Sequence, residues 1–87
     1  MRTVHVEYFF AGGCAHCAKA REALREASQV SPNVQWREID IAKEPARAVD
    51  LGILATPAVA INGQLVFNGA PAPEALRAAI AARLQAG

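Results

Sequence analysis

The hydrophobic pattern changes period twice within the first forty or so residues, and that change narrows the possible folds more than any other feature of the chain. Thr3 to Phe10 alternates with a period of two and is rich in β-branched and aromatic residues, which reads as a strand. Val4, Val6, Tyr8 and Phe10 share one face of it, and Thr3, His5, Glu7 and Phe9 share the other. From Cys14 to about Val30 the period is helical, with Cys17, Ala20, Leu24 and Ala27 recurring at three- and four-residue steps as one buried stripe. Val34 to Ile41 then alternates again. Two strands joined through a helix lie parallel in one sheet, with a right-handed crossover. Gly12-Gly13 and Ser31-Pro32-Asn33 supply the breaks between the three segments.

The remaining segments extend this unit. Pro45 opens a short helix that runs to about Leu51, and Gly52 stops it. Asn62-Gly63 is the strongest short hairpin signal available, so Ala58–Ile61 and Gln64–Phe67 pair antiparallel around it. Asn68-Gly69-Ala70-Pro71 turns the chain, and Pro73 opens a last helix with Leu76, Ile80 and Leu84 on one side. The order is βαβ-α-ββ-α, an α/β fold in which helices cover both faces of a small four-stranded mixed sheet. A chain of 87 residues makes one domain, 1–87.

Composition removes several functions. Nine basic and eight acidic residues leave a net charge of +1, and without a basic block the electrostatic footprint of a nucleic-acid binder is missing. The longest apolar runs fall far short of the ~20 residues that span a bilayer, so no membrane partner is expected. Met1 to His5 leads straight into the strand pattern with no apolar signal region, so the cytoplasm is the expected location. Structural disulfides are rare there, and a close cysteine pair is catalytic or metal-binding rather than a staple.

The pair is Cys14-Ala15-His16-Cys17, and it holds both cysteines of the chain. The thiolate is the nucleophilic form, and a helix N-terminus favours it through unpaired N–H groups and the positive end of the dipole. Cys14 falls at or next to the N-cap, which makes it the attacking thiol. Cys17 lies one turn further on the same face and on the buried stripe, which makes it the resolving thiol. His16 tunes the pair: by favouring a thiolate it stabilises the dithiol and makes the couple more oxidising, by ~30 mV for each ~1.4 kcal/mol. Lys19 is a second candidate for redox tuning. A rival reading takes the same thiols as ligands of zinc or an iron–sulfur cluster. Zinc wants four ligands, however, and Cys14, Cys17 and His16 offer three, with no reason for His5 to converge on them.

Thr56-Pro57 is the second feature, a proline at the start of a strand, where it cannot donate a ladder bond. Together with the strand before Gly12-Gly13, the Cys14–Cys17 pair opening a helix, the hairpin, and Gly69-Ala70-Pro71 before a final helix, it resembles the thioredoxin/glutaredoxin superfamily. The chain looks most like the short, glutaredoxin-sized thioredoxins, over nearly its whole length. The resemblance implies a thioredoxin-like fold, a cis Pro57 packed near the cysteines, and a Thr56 backbone that pairs with an extended substrate segment. It also implies Gly69 as part of the substrate contact. Two positions depart from the family pattern. Tyr8 stands where thioredoxins have a buried Asp six residues before the first cysteine, and Glu7 faces the other way. Asn68-Gly69-Ala70-Pro71 stands where glutaredoxins carry part of a glutathione site.

The expected function is thiol–disulfide exchange with protein substrates by a monomer. A reductase or small thiol is its electron donor, and no cofactor is needed beyond the Cys14–Cys17 disulfide. Tyr8, Phe9, Phe10, Trp36 and Phe67 are expected to be packing residues.

Overall fold

The structure, a computed structural model, describes residues 3–12 and 15–85. Its elements are β1 (Val4–Phe10), α1 (Ala15–Ser28), β2 (Val34–Asp40), α2 (Pro45–Asp50), β3 (Ala58–Ile61), β4 (Gln64–Phe67) and α3 (Pro73–Gln85). The strands form one sheet in the order β2-β1-β3-β4. β1 and β2 are parallel, from Val4↔Val34 to Phe10↔Asp40. β1 and β3 are antiparallel, from Val6↔Ile61 to Phe9↔Ala58, and β3 and β4 are antiparallel around the hairpin. The mixed sheet and the βαβ-α-ββ-α order are those the sequence pattern leads one to expect.

The two faces of β1 divide the core. Val4, Val6 and Tyr8 pack with Val59 and Ile61 of β3, Leu24 of α1, and Leu76 and Ile80 of α3. Phe9 packs on the opposite face with Ile39, Ala58 and Ala60, and half-buried Ile41, Leu51, Ile53 and Leu65 close over it. Period-two alternation produces this division, because successive side chains of a strand point to opposite faces.

Local chemistry sets the element ends. α1 stops at Ser28 rather than near Val30. The Ser28 hydroxyl donates to the Arg25 carbonyl at 2.7 Å, and Gln29 N–H bonds back to Glu26 at 3.1 Å. That three-residue step tightens the last turn and leaves Val30 outside and exposed. Within the helix Leu24 and Ala27 are buried as expected, Ala20 is half-buried, and Ser28 is buried although the apolar stripe omits it. β2 stops at Asp40, one residue short of the sequence pattern, because Asp40 turns the chain. Its carboxylate accepts from Ala42 N–H at 2.9 Å and its carbonyl from Lys43 and Glu44 N–H at 3.0 Å. In the hairpin Asn62 has φ of 52°, and its side-chain oxygen accepts from His5 N–H at 2.9 Å, which ties the turn to β1.

Candidate redox site

Strand direction gathers the chemistry-bearing segments at one end of the sheet. β1 ends at Phe10, and α1 begins at Ala15, the residue after Cys14. The register Phe9↔Ala58 sets Pro57, just before β3, at that same end. The register Val59↔Phe67 carries the turn after β4, Asn68-Gly69, there too. The start of α1, Thr56-Pro57 and Gly69 therefore share one edge of the domain. The Thr56–Pro57 peptide bond is cis, and both residues are half-buried. Among the described residues, nothing lies within 4 Å of the point where a side chain would begin at Gly69. Cys14 itself lies outside the described residues. Cys17, His16 and Lys19 lie in the first turns of α1, where the backbone is described and their side chains are not.

The approach to Thr56 is pinned from behind. α2 closes with Gly52 N–H bonded to Val49 carbonyl at 3.0 Å and Ile53 N–H bonded to Ala48 carbonyl at 2.9 Å, the paired bonds of a Schellman motif. Gly52 has φ of 73°, a conformation that a side chain at this position would oppose. Ile53 then packs into the Phe9 cluster, while Leu54 is 96% exposed. Adjacent apolar residues in an extended segment point opposite ways, so of the pair Ile53-Leu54 one packs inward and the other faces out. The start of α2 is tied down as well. Arg47 donates to both carboxylate oxygens of Glu7, from Nε to Oε2 at 3.0 Å and from Nη2 to Oε1 at 2.6 Å. Glu7 is 7% exposed and faces α2, as its parity in β1 requires. The guanidinium is held charged above its ordinary range, chiefly by this hydrogen bond.

Beneath α1 the sheet presents Tyr8, which has no exposed surface. Its ring stacks on Trp36, with centroids 5.6 Å apart and planes at 22°. Arg21 of α1 lies over the Phe10 ring, 5.4 Å from its centroid, and its Nε is 3.6 Å from Glu38. Burial pushes the Tyr8 phenol above its usual range, the Arg21 charge opposes that rise, and the Glu38 charge adds to it. Among the described residues, Tyr8 Oη is the buried side-chain polar atom with no hydrogen-bond partner. Alternation placed Tyr8 on this face as a packing residue, but gave no sign that its hydroxyl would be unpaired.

Other chemistry is sparse. Among the described residues no three His, Cys, Asp or Glu side chains stand together to hold a metal ion. No described helix is long and apolar enough to cross a membrane. A broad groove lined by His5, Glu7, Gln35, Arg37 and Arg47 lies on the α2 face, toward the start of β1 and away from the redox edge.

Comparison with known proteins agrees with this geometry. The family described as thioredoxin domain matches residues 2–81. The chain is 38% identical over 85 residues to a thioredoxin of Methanocaldococcus jannaschii, covering 97% of this chain and 100% of that protein. It is 36% identical over 83 residues to a probable thioredoxin of Methanothermobacter marburgensis, covering 94% and 98% of the two. Among solved structures, mitochondrial thioredoxin 3 of Saccharomyces cerevisiae in its oxidized form superposes with a TM-score of 0.75 at 27% identity, over 94% of this chain and 80% of that one. A mutant thioredoxin from Halobacterium salinarum, at 20% identity, shares the fold with a TM-score of 0.77, over 93% and 74%. The chain belongs to the thioredoxin family, and its general activity is that of a thiol–disulfide oxidoreductase.

Proposed function

We propose that the protein exchanges disulfides with protein substrates through Cys14 and Cys17. The observation that carries this reading is the convergence of the start of α1, Thr56-Pro57 and Gly69 at one end of the sheet. The Cys14 thiolate, favoured by the N-terminus of α1, attacks a substrate disulfide. One substrate sulfur leaves as a thiolate and takes a proton from water, and the other is held in a mixed disulfide with Cys14. Cys17 then attacks Cys14, the intramolecular disulfide forms, and the second substrate thiolate departs. Two electrons pass from the dithiol to the substrate, and a reductase or small thiol returns them.

The backbone at Thr56 is the pairing edge for an extended substrate segment. The pinned Gly52–Ile53 corner keeps that edge in place, and Gly69 leaves room beside it. His16 and Lys19, in the first turns of α1, favour thiolate and raise the potential of the pair. The test is insulin reduction. Cys14→Ser abolishes turnover on this reading, and full turnover by that variant would show that the reaction does not pass through Cys14.

A further inference from the structure

α2 is six residues long and covers only part of its face of the sheet. Beside Phe9 and Ile39 that face is closed by Leu51 and Ile53. Toward the start of β1 it stays open, as a groove of about 790 Å³ with β1 and β2 for its floor and Arg47 and the Asn62-Gly63 turn for its walls. That volume lies within the range of small-molecule sites. Strand register sets what the floor presents. His5 stands beside Gln35 and Glu7 beside Arg37, and parity turns all four toward the α2 side.

The groove is a surface of hydrogen-bond donors. Among its described lining residues Glu7 is the one carboxylate, and Arg47 already occupies both of its oxygens, from Nε at 3.0 Å and Nη2 at 2.6 Å. Those bonds leave the Nη1 N–H groups of Arg47 to other acceptors, and its side chain is 38% exposed. Asn62 Oδ1 accepts from His5 N–H at 2.9 Å, which leaves the amide nitrogen of Asn62 to donate elsewhere. Arg37 Nη2 donates to Glu44 Oε1 at 2.9 Å, but Arg37 is 60% exposed and Glu44 stands outside the groove lining. A surface pair of this kind holds weakly and yields to a better acceptor. Two guanidiniums against one carboxylate leave the lining with one positive charge in excess.

We propose that this groove binds a small organic anion, with its carboxylate or phosphate group between Arg37 and Arg47 and its remainder against His5, Gln35 and Asn62. Arg47 fixes one side of the anion's place, because Glu7 holds that guanidinium in position. Arg37 turns from Glu44 to supply the other side. Guanidiniums suit this task, since their planar pairs of N–H groups match the oxygens of either acceptor. The groove lies away from the redox edge, so the anion is not a disulfide substrate and no covalent bond changes when it binds.

The test is an NMR titration of the full chain at fixed pH and ionic strength, with inorganic phosphate in one series and succinate in another. Saturable shifts of the backbone amides of His5, Gln35, Arg37 and Arg47, half complete at about 10 mM or below, are the expected result. Saturation by phosphate alone assigns a phosphate-bearing ligand, by succinate alone a carboxylate-bearing one, and by both a site that reads the charge they share. Arg37→Ala removes a charge-assisted pair of bonds and should weaken binding about tenfold. Lys43→Ala removes the same charge from an exposed position outside the groove and should leave the midpoint where it was. Thermal melts show that both variants are folded. Shifts still rising linearly at that concentration, shifts spread over the whole surface, no loss in Arg37→Ala, or an equal loss in both variants would mean an adventitious ion only and would overturn the proposal.

Discussion

Removing Arg47 tests how the sheet holds the helix that leads to Thr56. Glu7 is 7% exposed, and both of its carboxylate oxygens accept from Arg47, forty residues away. Arg47→Ala leaves that carboxylate buried and unpaired. For a fully enclosed pair the loss is about 3–5 kcal/mol. Here the Arg47 side chain is 38% exposed, so water enters where the guanidinium was and rehydrates part of Glu7. The expected loss falls to about 2 kcal/mol, which for a domain of this size lowers the melting temperature by roughly 8–16 °C. Urea unfolding should show a lower midpoint with an unchanged slope, since the surface exposed on unfolding is the same. Glu7→Gln in the Arg47→Ala background should recover part of the loss, because a neutral amide is less costly to bury unpaired. A loss below about 0.5 kcal/mol for Arg47→Ala, or no recovery in the double variant, would refute the claim that this pair fastens α2 to β1.

The other expectations concern single sites. Phe9→Ala opens a cavity in the α2-side core and should cost about 3–5 kcal/mol, whereas Leu54→Ser, at a residue 96% exposed, should stay within about 0.5 kcal/mol; thermal melts compare them directly. Asn62→Ala removes the acceptor for His5 N–H and puts alanine at a φ of 52°, so a loss of about 1–2 kcal/mol is expected by urea titration. The Tyr8 phenol is raised by burial, so the folded state holds this proton more tightly than the unfolded chain. Its contribution to stability is complete below pH ~10 and declines as pH rises above it, and the wild type should lose stability there more steeply than Tyr8→Phe. Parallel stability curves for the two proteins above that pH would contradict this.

Features fixed by neighbouring residues were legible in the sequence. Ala58–Ile61 and Gln64–Phe67 have the expected limits because Asn62-Gly63 determines the turn between them. The two faces of β1 follow from alternation, and the right-handed crossover rule puts the first helix on one side. The end of α1 was not legible, because apolar spacing continues to Val30, past the point where the Ser28 hydroxyl closes the helix onto Arg25. Long-range pairings were not legible. Parity turns Glu7 away from α1, but no local rule selects Arg47 as its partner. The stack of Tyr8 on Trp36 depends on the register of β1 against β2, in which Val6 stands opposite Trp36. The unpaired Tyr8 hydroxyl depends on everything packed around it. At the candidate site, Cys14-Ala15-His16-Cys17, Thr56-Pro57 and Gly69 could each be marked in the sequence. Their arrival at one end of the sheet needed the strand directions.

Trapping the mixed disulfide tests the central claim most directly. Cys17→Ser, mixed with a protein disulfide and quenched with acid, should accumulate a covalent adduct whose peptide map places the linkage on Cys14, and a small thiol should release it. The absence of any adduct at Cys14, with the variant folded, would contradict the assignment of Cys14 as nucleophile and Cys17 as the thiol that resolves it.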